Sequence, residues 1–249
     1  MILTVLFIAA LWAGFQNALA GGGSFITLPV LMLTGMDARA ANITSTLALF
    51  PAQLVTGATG YKQASGVGGL SIKALVIISL AGGAHGALLL LVTPSDFFAA
   101  LVPWLVLFAT VTYAYGSFTP RKAEAAPRIG QGGAAVAQFF IAIYGGYFGG
   151  GIGFLMLAAL SAAGMAIRPS VATKNVLAGV MNASAVLVFL FSPEIHWLQA
   201  GIACAGAVAG GYAGGMMVNK VNEKALRFVV VLIGIALTVG LFIRAHQGS

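Results

Sequence analysis

The sequence predicts an all-α polytopic membrane protein made of two inverted repeats, each of four long transmembrane helices plus one short glycine-broken helix. Three observations carry that prediction. First, 60% of the 249 residues are hydrophobic and only 7% are charged, whereas about a quarter of the residues of a soluble domain are charged. So few charges suffice only where lipid, not water, covers most of the surface. Second, the chain divides into ten apolar segments. Third, one constant offset of 129 residues superposes its two halves.

The segments justify themselves in order. Residues 2–20 are apolar and end in Ala18-Leu19-Ala20, which resembles a signal-peptidase site. No basic region precedes them, and a similar segment recurs mid-chain, so they are read as a retained helix. A glycine cluster, Ala20-Gly21-Gly22-Gly23-Ser24-Phe25, leads into a short run at 24–34, followed by segments at 40–57, 71–92 and 97–116. The most polar stretch, Thr119-Pro120-Arg121-Lys122-Ala123-Glu124-Ala125-Ala126-Pro127-Arg128, comes next. The second half has segments at 131–148, 152–163, 170–190, 197–217 and 228–243, with a second cluster, Gly149-Gly150-Gly151-Ile152-Gly153-Phe154. The offset also pairs Gly35 with Gly164, Arg39 with Arg168, Thr44 with Thr173, Gln53 with Asn182, Gly82 with Gly211 and Gly86 with Gly215. Most segments approach the ~20 residues a helix needs to cross a bilayer; those after the glycine clusters do not. The expected organisation is a first repeat at 1–118, a cytoplasmic linker at 119–130 and a second repeat at 131–249, with eight full spans and up to ten membrane segments.

Charge discriminates between topologies. If the short segments are not counted, the twelve Lys and Arg residues divide six against six. If each glycine cluster is instead the tip of a hairpin, Lys62, Lys73, Arg121, Lys122, Arg128, Arg168, Lys174, Lys220, Lys224 and Arg227 share one side, and only Arg39 and Arg244 lie opposite. Ten against two fits the positive-inside rule. It puts both termini outside, the linker in the cytoplasm and the halves in inverted orientation. The hairpins are equally compatible with re-entrant segments and with pairs of full crossings. The net charge of +7 then has a topological cause, and no nucleic-acid partner is expected. The single cysteine, Cys204, has no intrachain partner.

Inverted repeats that each contain a short, glycine-interrupted helix are a mark of secondary transporters. Irregular backbone within a bilayer is tolerated where it is buried in protein or lines a cavity. Gly21, Gly22 and Gly23, with Ser24, and Gly149, Gly150 and Gly151 would expose amide N–H groups beside the positive end of the helix that follows. Such a place favours an anion. These glycines are read as approaching a ligand, with close helix packing as the alternative. Gly82, Gly86, Gly206, Gly210 and Gly214 have GxxxG spacing and are read as packing. Neither cluster is a nucleotide fingerprint, because Ile26 stands where a third glycine would and no strand precedes it.

Each half then has a polar cluster: Asn42, Thr44, Ser45 and Thr46 with Gln53, and Thr173, Lys174 and Asn175 with Asn182. Gln53 follows Thr46, and Asn182 follows Asn175, by seven residues, two helical turns, so each amide shares a face with its cluster. Substrate contact and helix–helix hydrogen bonding both account for these residues. Lys174 is either a fixed positive charge or a lysine snorkelling to the interface. His85 is either a proton relay or a partner for a neighbouring helix. Asp37, Asp96, Glu124, Glu194 and Glu223 all fall at loops or segment ends, which leaves carboxylate-based cation coupling without a seat.

On these motifs the chain resembles the TauE/SafE family of sulfite and organosulfonate transporters. The most telling stretches are Ala20-Gly21-Gly22-Gly23-Ser24-Phe25-Ile26-Thr27-Leu28-Pro29-Val30-Leu31, Ala41-Asn42-Ile43-Thr44-Ser45-Thr46, Gly149-Gly150-Gly151-Ile152-Gly153-Phe154 and Ala172-Thr173-Lys174-Asn175. The proline usual after the second glycine cluster is replaced by Ala158, where the first copy keeps Pro29. The resemblance implies a multi-pass carrier in the plasma (bacterial inner) membrane for small sulfur-containing anions such as sulfite or sulfoacetate, with no cofactor or metal. An anion channel or facilitator would share this chemistry. An intramembrane enzyme is disfavoured by the lack of HExxH, GxSxG, a carboxylate pair or a His/Cys cluster. An assembly subunit would bind no ligand.

Overall fold

The computed structural model describes residues 1–19, 22–118, 128–217 and 223–247. These form ten α-helices: α1 (Ile2–Leu19), α2 (Ser24–Leu33), α3 (Ala38–Gly60), α4 (Ile72–Val92), α5 (Ser95–Phe118), α6 (Gln131–Tyr147), α7 (Ile152–Ala162), α8 (Ile167–Phe189), α9 (Trp197–Met217) and α10 (Glu223–Gln247). Each coincides with one of the ten apolar segments. Among the described residues, 72–92, 95–116 and 169–189 are long and apolar enough to cross a membrane, and 2–18, 24–33, 152–162 and 228–243 form shorter apolar helices. The protein is thus an all-helical membrane protein. Gly21 and most of the polar linker lie outside the described residues; where the chain resumes, the Arg128 and Ile129 amides donate to the Ala162 carbonyl at 2.7 and 3.2 Å.

The start of α3 is fixed by Asp37, whose carboxylate accepts from the Arg39 and Ala40 amides at 2.9 and 3.0 Å, an N-cap of the usual kind. Ser71 caps α4 in the same way through the Ala74 amide. Antiparallel α3 and α8 form the centre of the bundle: Gln53 lies beside Asn182, and Gly57 lies beside Asn175. Around them α1 packs on α9 as α6 packs on α4, and α9 touches α3 as α4 touches α8. Positions 129 residues apart also share backbone geometry. Gly22 and Gly151 have φ of 84° and 74°, and Gly35 and Gly164 have 95° and 88°.

Small residues let the outer helices approach. A Cβ on Gly86 would fall on the Ile143 carbonyl oxygen, one on Gly146 on the Gly83 carbonyl, and one on Gly210 on the Leu11 carbonyl. Gly82, Gly206 and Gly214 occupy the same α4–α6 and α9–α1 seams. Gln138 adds a polar tie by donating to the Ser79 hydroxyl at 2.9 Å. Gly201, on α9, has nothing within 4 Å of an added Cβ. Gly210→Ala is therefore expected to destabilise by about 1–3 kcal/mol, the cost of overpacking a close contact. Gly201→Ala should stabilise slightly by removing unfolded-chain entropy. Opposite shifts in thermal midpoint would verify both; equal shifts would refute the seam.

Candidate functional site

The two short helices begin at one place. Gly23 and Gly151 are the N-cap residues of α2 and α7, and neither helix has a side-chain cap. The N-terminus of a helix is the positive end of its dipole. Here the Phe25 and Ile26 amides turn back to the Gly22 and Gly23 carbonyls and the Phe154 amide to the Gly151 carbonyl, so the dipole ends contribute field more than free donors. Between these ends, α3 and α8 enclose a cavity of about 90 Å³. At roughly 10–15 Å³ per water centre, it suits several waters or a small ion.

Of the residues singled out by sequence, Gly22, Ser24, Gln53, Gly149, Gly151, Lys174 and Asn175 line this cavity. The positive φ at Gly22 and Gly151 is a conformation in which a side chain would be strained, and a Cβ on Gly151 would also press on Ala109 at 3.0–3.2 Å. Lys174 lies along the first turn of α7, its Cδ 3.4 Å and its Nζ 3.8 Å from a Cβ built on Gly153. Among the described residues no carboxylate lines the cavity. One ammonium group and two helix N-termini therefore set a positive field.

The other predicted residues have different partners. Gly23 is buried against the Ala13 carbonyl, and Gly150 against the Phe148 ring. Ser45 shares a 2.6 Å hydrogen bond with Thr27, holding α2 on α3. Asn42 Nδ2 donates to the Tyr147 carbonyl at 3.0 Å, securing the end of α6 just before the second glycine cluster. Thr46 bonds the Asn42 carbonyl of its own helix. Thr44 Oγ1 accepts from the His196 amide at 3.4 Å, and Thr173 Oγ1 accepts from the Ser65 amide at 3.0 Å. Each of these two threonines thus fastens a loop from the opposite half. Asn182 stands behind the lining and donates to Gln53 Oε1 at 2.6 Å. His85 is remote from the cavity: it is exposed on the outer face of α4, its Nδ1 lies 2.8 Å from the Ala81 carbonyl of the same helix and its ring stands edge-on to Phe139.

Several lining residues were not anticipated. Thr56 shares a face of α3 with Gln53, three residues on, a spacing that could have revealed it. Asn17 is the last polar residue of α1 before the glycines. Tyr113 of α5 and Phe154 of α7, in edge contact at 4.2 Å, form an aromatic wall, and nothing distinguishes Tyr113 from the other aromatics of its segment.

A second feature ties one end of the bundle together. Arg39, at the start of α3, holds the Glu194 carboxylate with both arms of its guanidinium; its Nε–Oε2 distance is 2.9 Å. Its Nη1 also donates to the Thr93 carbonyl. This clamp joins α3 to the α4–α5 and α8–α9 loops. Gln53 lies fourteen residues further along α3, roughly 21 Å away at 1.5 Å per residue.

The profile of the family described as sulfite exporter TauE/SafE matches residues 6–241, nearly the whole chain. The chain belongs to the TauE/SafE family. Similar members include the probable membrane transporter protein YfcA of Escherichia coli (strain K12), 26% identical over 248 residues, 99% of this chain and 91% of that protein. A probable membrane transporter protein of Haemophilus influenzae is 28% identical over 242 residues, 95% of this chain and 93% of its own length. The probable membrane transporter protein ORF9 of a Sinorhizobium species is 28% identical over 249 residues, covering 96% and 92%. No solved structure matches the chain. As a TauE/SafE protein, it is a membrane transporter and not an enzyme.

Proposed function

We propose that this protein is a secondary carrier that moves small sulfur-containing anions, such as sulfite or sulfoacetate, across the plasma membrane by alternating access. The observation that carries the proposal is the cavity where two uncapped helix N-termini meet Lys174 with no carboxylate among its described lining residues. Such a lining attracts an anion through N–H donors and fixed charge. The aromatic wall of Tyr113 and Phe154 leaves room for the less polar side of a sulfonate. The family description names a sulfite exporter, which supports sulfur anions as the first candidates.

Two inverted repeats, 1–118 and 131–249, account for the exchange of packing partners between halves and for the Gln53–Asn182 contact across 129 residues. In this reading both termini face outward, the linker is cytoplasmic, and the cavity lies nearer the cytoplasmic ends of α3 and α8. The Arg39–Glu194 clamp closes the outer end, which favours a carrier over a channel because a channel needs a continuous pore. Cysteines introduced near Lys122 and Glu194 are expected to label from opposite sides of the membrane; labelling of both from outside would overturn the topology.

The direct test is thermal unfolding of purified protein with sulfite, sulfate, thiosulfate, sulfoacetate, taurine, acetate and chloride. A ligand that binds only the folded state stabilises it by RT ln(1 + [L]/Kd), about 2.7 kcal/mol at a hundred times Kd. A selective shift with sulfite or a sulfonate is expected. No shift with any of them would remove the anion assignment.

A further inference from the structure

The cavity lining contains one carboxamide whose orientation is set from behind. Gln53 of α3 faces the cavity, whereas Asn182 of α8 is 3% exposed and absent from the lining. Asn182 Nδ2 donates to Gln53 Oε1 at 2.6 Å. A carboxamide has an acceptor end and a donor end. With Oε1 engaged toward α8, the Nε2 end is left for the cavity, which Lys174 and the N-terminal ends of α2 and α7 also line. We infer that Asn182 is a positioning residue that strengthens the anion preference of the site by holding the Gln53 carboxamide with its N–H donors toward the ligand.

The alternative orientation explains why this matters. If Gln53 were free to rotate, Oε1 would spend part of its time in the cavity, adding a partial negative charge beside an incoming anion. Ser24, Thr56, Asn17 and Asn175 also line the cavity and carry acceptor oxygens of their own, so turning Oε1 away removes one acceptor and tilts the lining toward anions. The Asn182 side chain achieves this without touching the ligand, from a buried position on the helix that also supplies Lys174. The pair spans 129 residues and so joins equivalent positions of the two halves. The inference rests on the proposed anion site and assigns a specific role within it.

A double-mutant cycle separates positioning from contact. Sulfite and sulfoacetate affinities are measured by thermal shift for the unaltered protein, Asn182→Leu, Gln53→Met and the double variant, with the unliganded midpoint of each as the folding control. Asn182→Leu is expected to weaken binding about tenfold, the order of one hydrogen bond to a charged group. In the Gln53→Met background the same change is expected to have less than about a twofold effect, because no carboxamide remains to orient. If Asn182→Leu does not fold, Asn182→Ser, too short to reach Oε1, replaces it. Equal losses in both backgrounds would make Asn182 a contact residue and overturn the inference, as would unchanged affinity in the single variant. If the unaltered protein binds neither anion, the anion site itself fails, a result distinct from either of these.

Discussion

Lys174→Met is expected to remove most of the stabilisation that a bound anion confers while leaving the unliganded protein folded. Methionine keeps the aliphatic stem that runs along Gly153 and deletes only the charge. A hydrogen bond to a charged group is worth about 1.5–3 kcal/mol, so Kd should rise roughly tenfold to more than a hundredfold. At an anion concentration a hundred times the unaltered Kd, the stabilisation should fall from about 2.7 kcal/mol to between about 1.4 and 0.3 kcal/mol. Lys174→Arg should retain much of the effect, because the charge persists although the head group is larger and planar. Thermal shifts measured across a range of sulfite concentrations would settle the point. Equal stabilisation of Lys174→Met and the unaltered protein would make Lys174 an interfacial lysine and leave the helix N-termini as the source of positive field among the described lining residues.

Hydropathy and the internal offset made the helices legible because both depend on residue type summed over many positions. The ten apolar segments became ten helices, and the runs after the glycine clusters became the short α2 and α7. Gln53 and Asn182 are legible for the same reason: equivalent positions in two similar halves meet when the central helices cross. What the sequence concealed is rotation about a helix axis and contact between distant loops. His85 lies deep in an apolar helix, yet it faces outward, because the face of α4 that packs inward is the one carrying Gly82, Gly83 and Gly86 against α6 and α8. Asn42, Ser45 and Thr46 carry the same polar signal as Lys174 and Asn175, but they hold helices and backbone carbonyls together. The cavity draws unequally on the two polar clusters, a bias that a symmetric motif does not express. Tyr113 and Asn17 come from helices that an offset alone cannot bring to the site.

Breaking the Arg39–Glu194 clamp is expected to give the second large effect, on the conformational equilibrium instead of on affinity at the site. The guanidinium and carboxylate are 17% and 24% exposed and paired in a bidentate manner, a geometry stronger than an ordinary surface ion pair. Removing one partner of a fully buried pair costs about 3–5 kcal/mol; with this exposure, Arg39→Met should cost less, about 1–3 kcal/mol. The loss also frees the Thr93 carbonyl from Nη1, so two loops lose their common anchor. In the carrier proposed above, with this end of the bundle facing outward, the population should shift toward the outward-open state. A cysteine at Ala48, which is buried on α3 between Arg39 and Gln53, should then react with an impermeant thiol reagent added from outside, with Cys204 replaced beforehand. The charge-swapped pair, Arg39→Glu with Glu194→Arg, should restore protection only in part, because the exchanged guanidinium no longer starts from α3 to reach Thr93. Labelling at Ala48 that stays absent in Arg39→Met, despite a lowered thermal midpoint, would reduce the clamp to a structural brace and place the outer closure deeper, in the apolar packing of α2, α3 and α5.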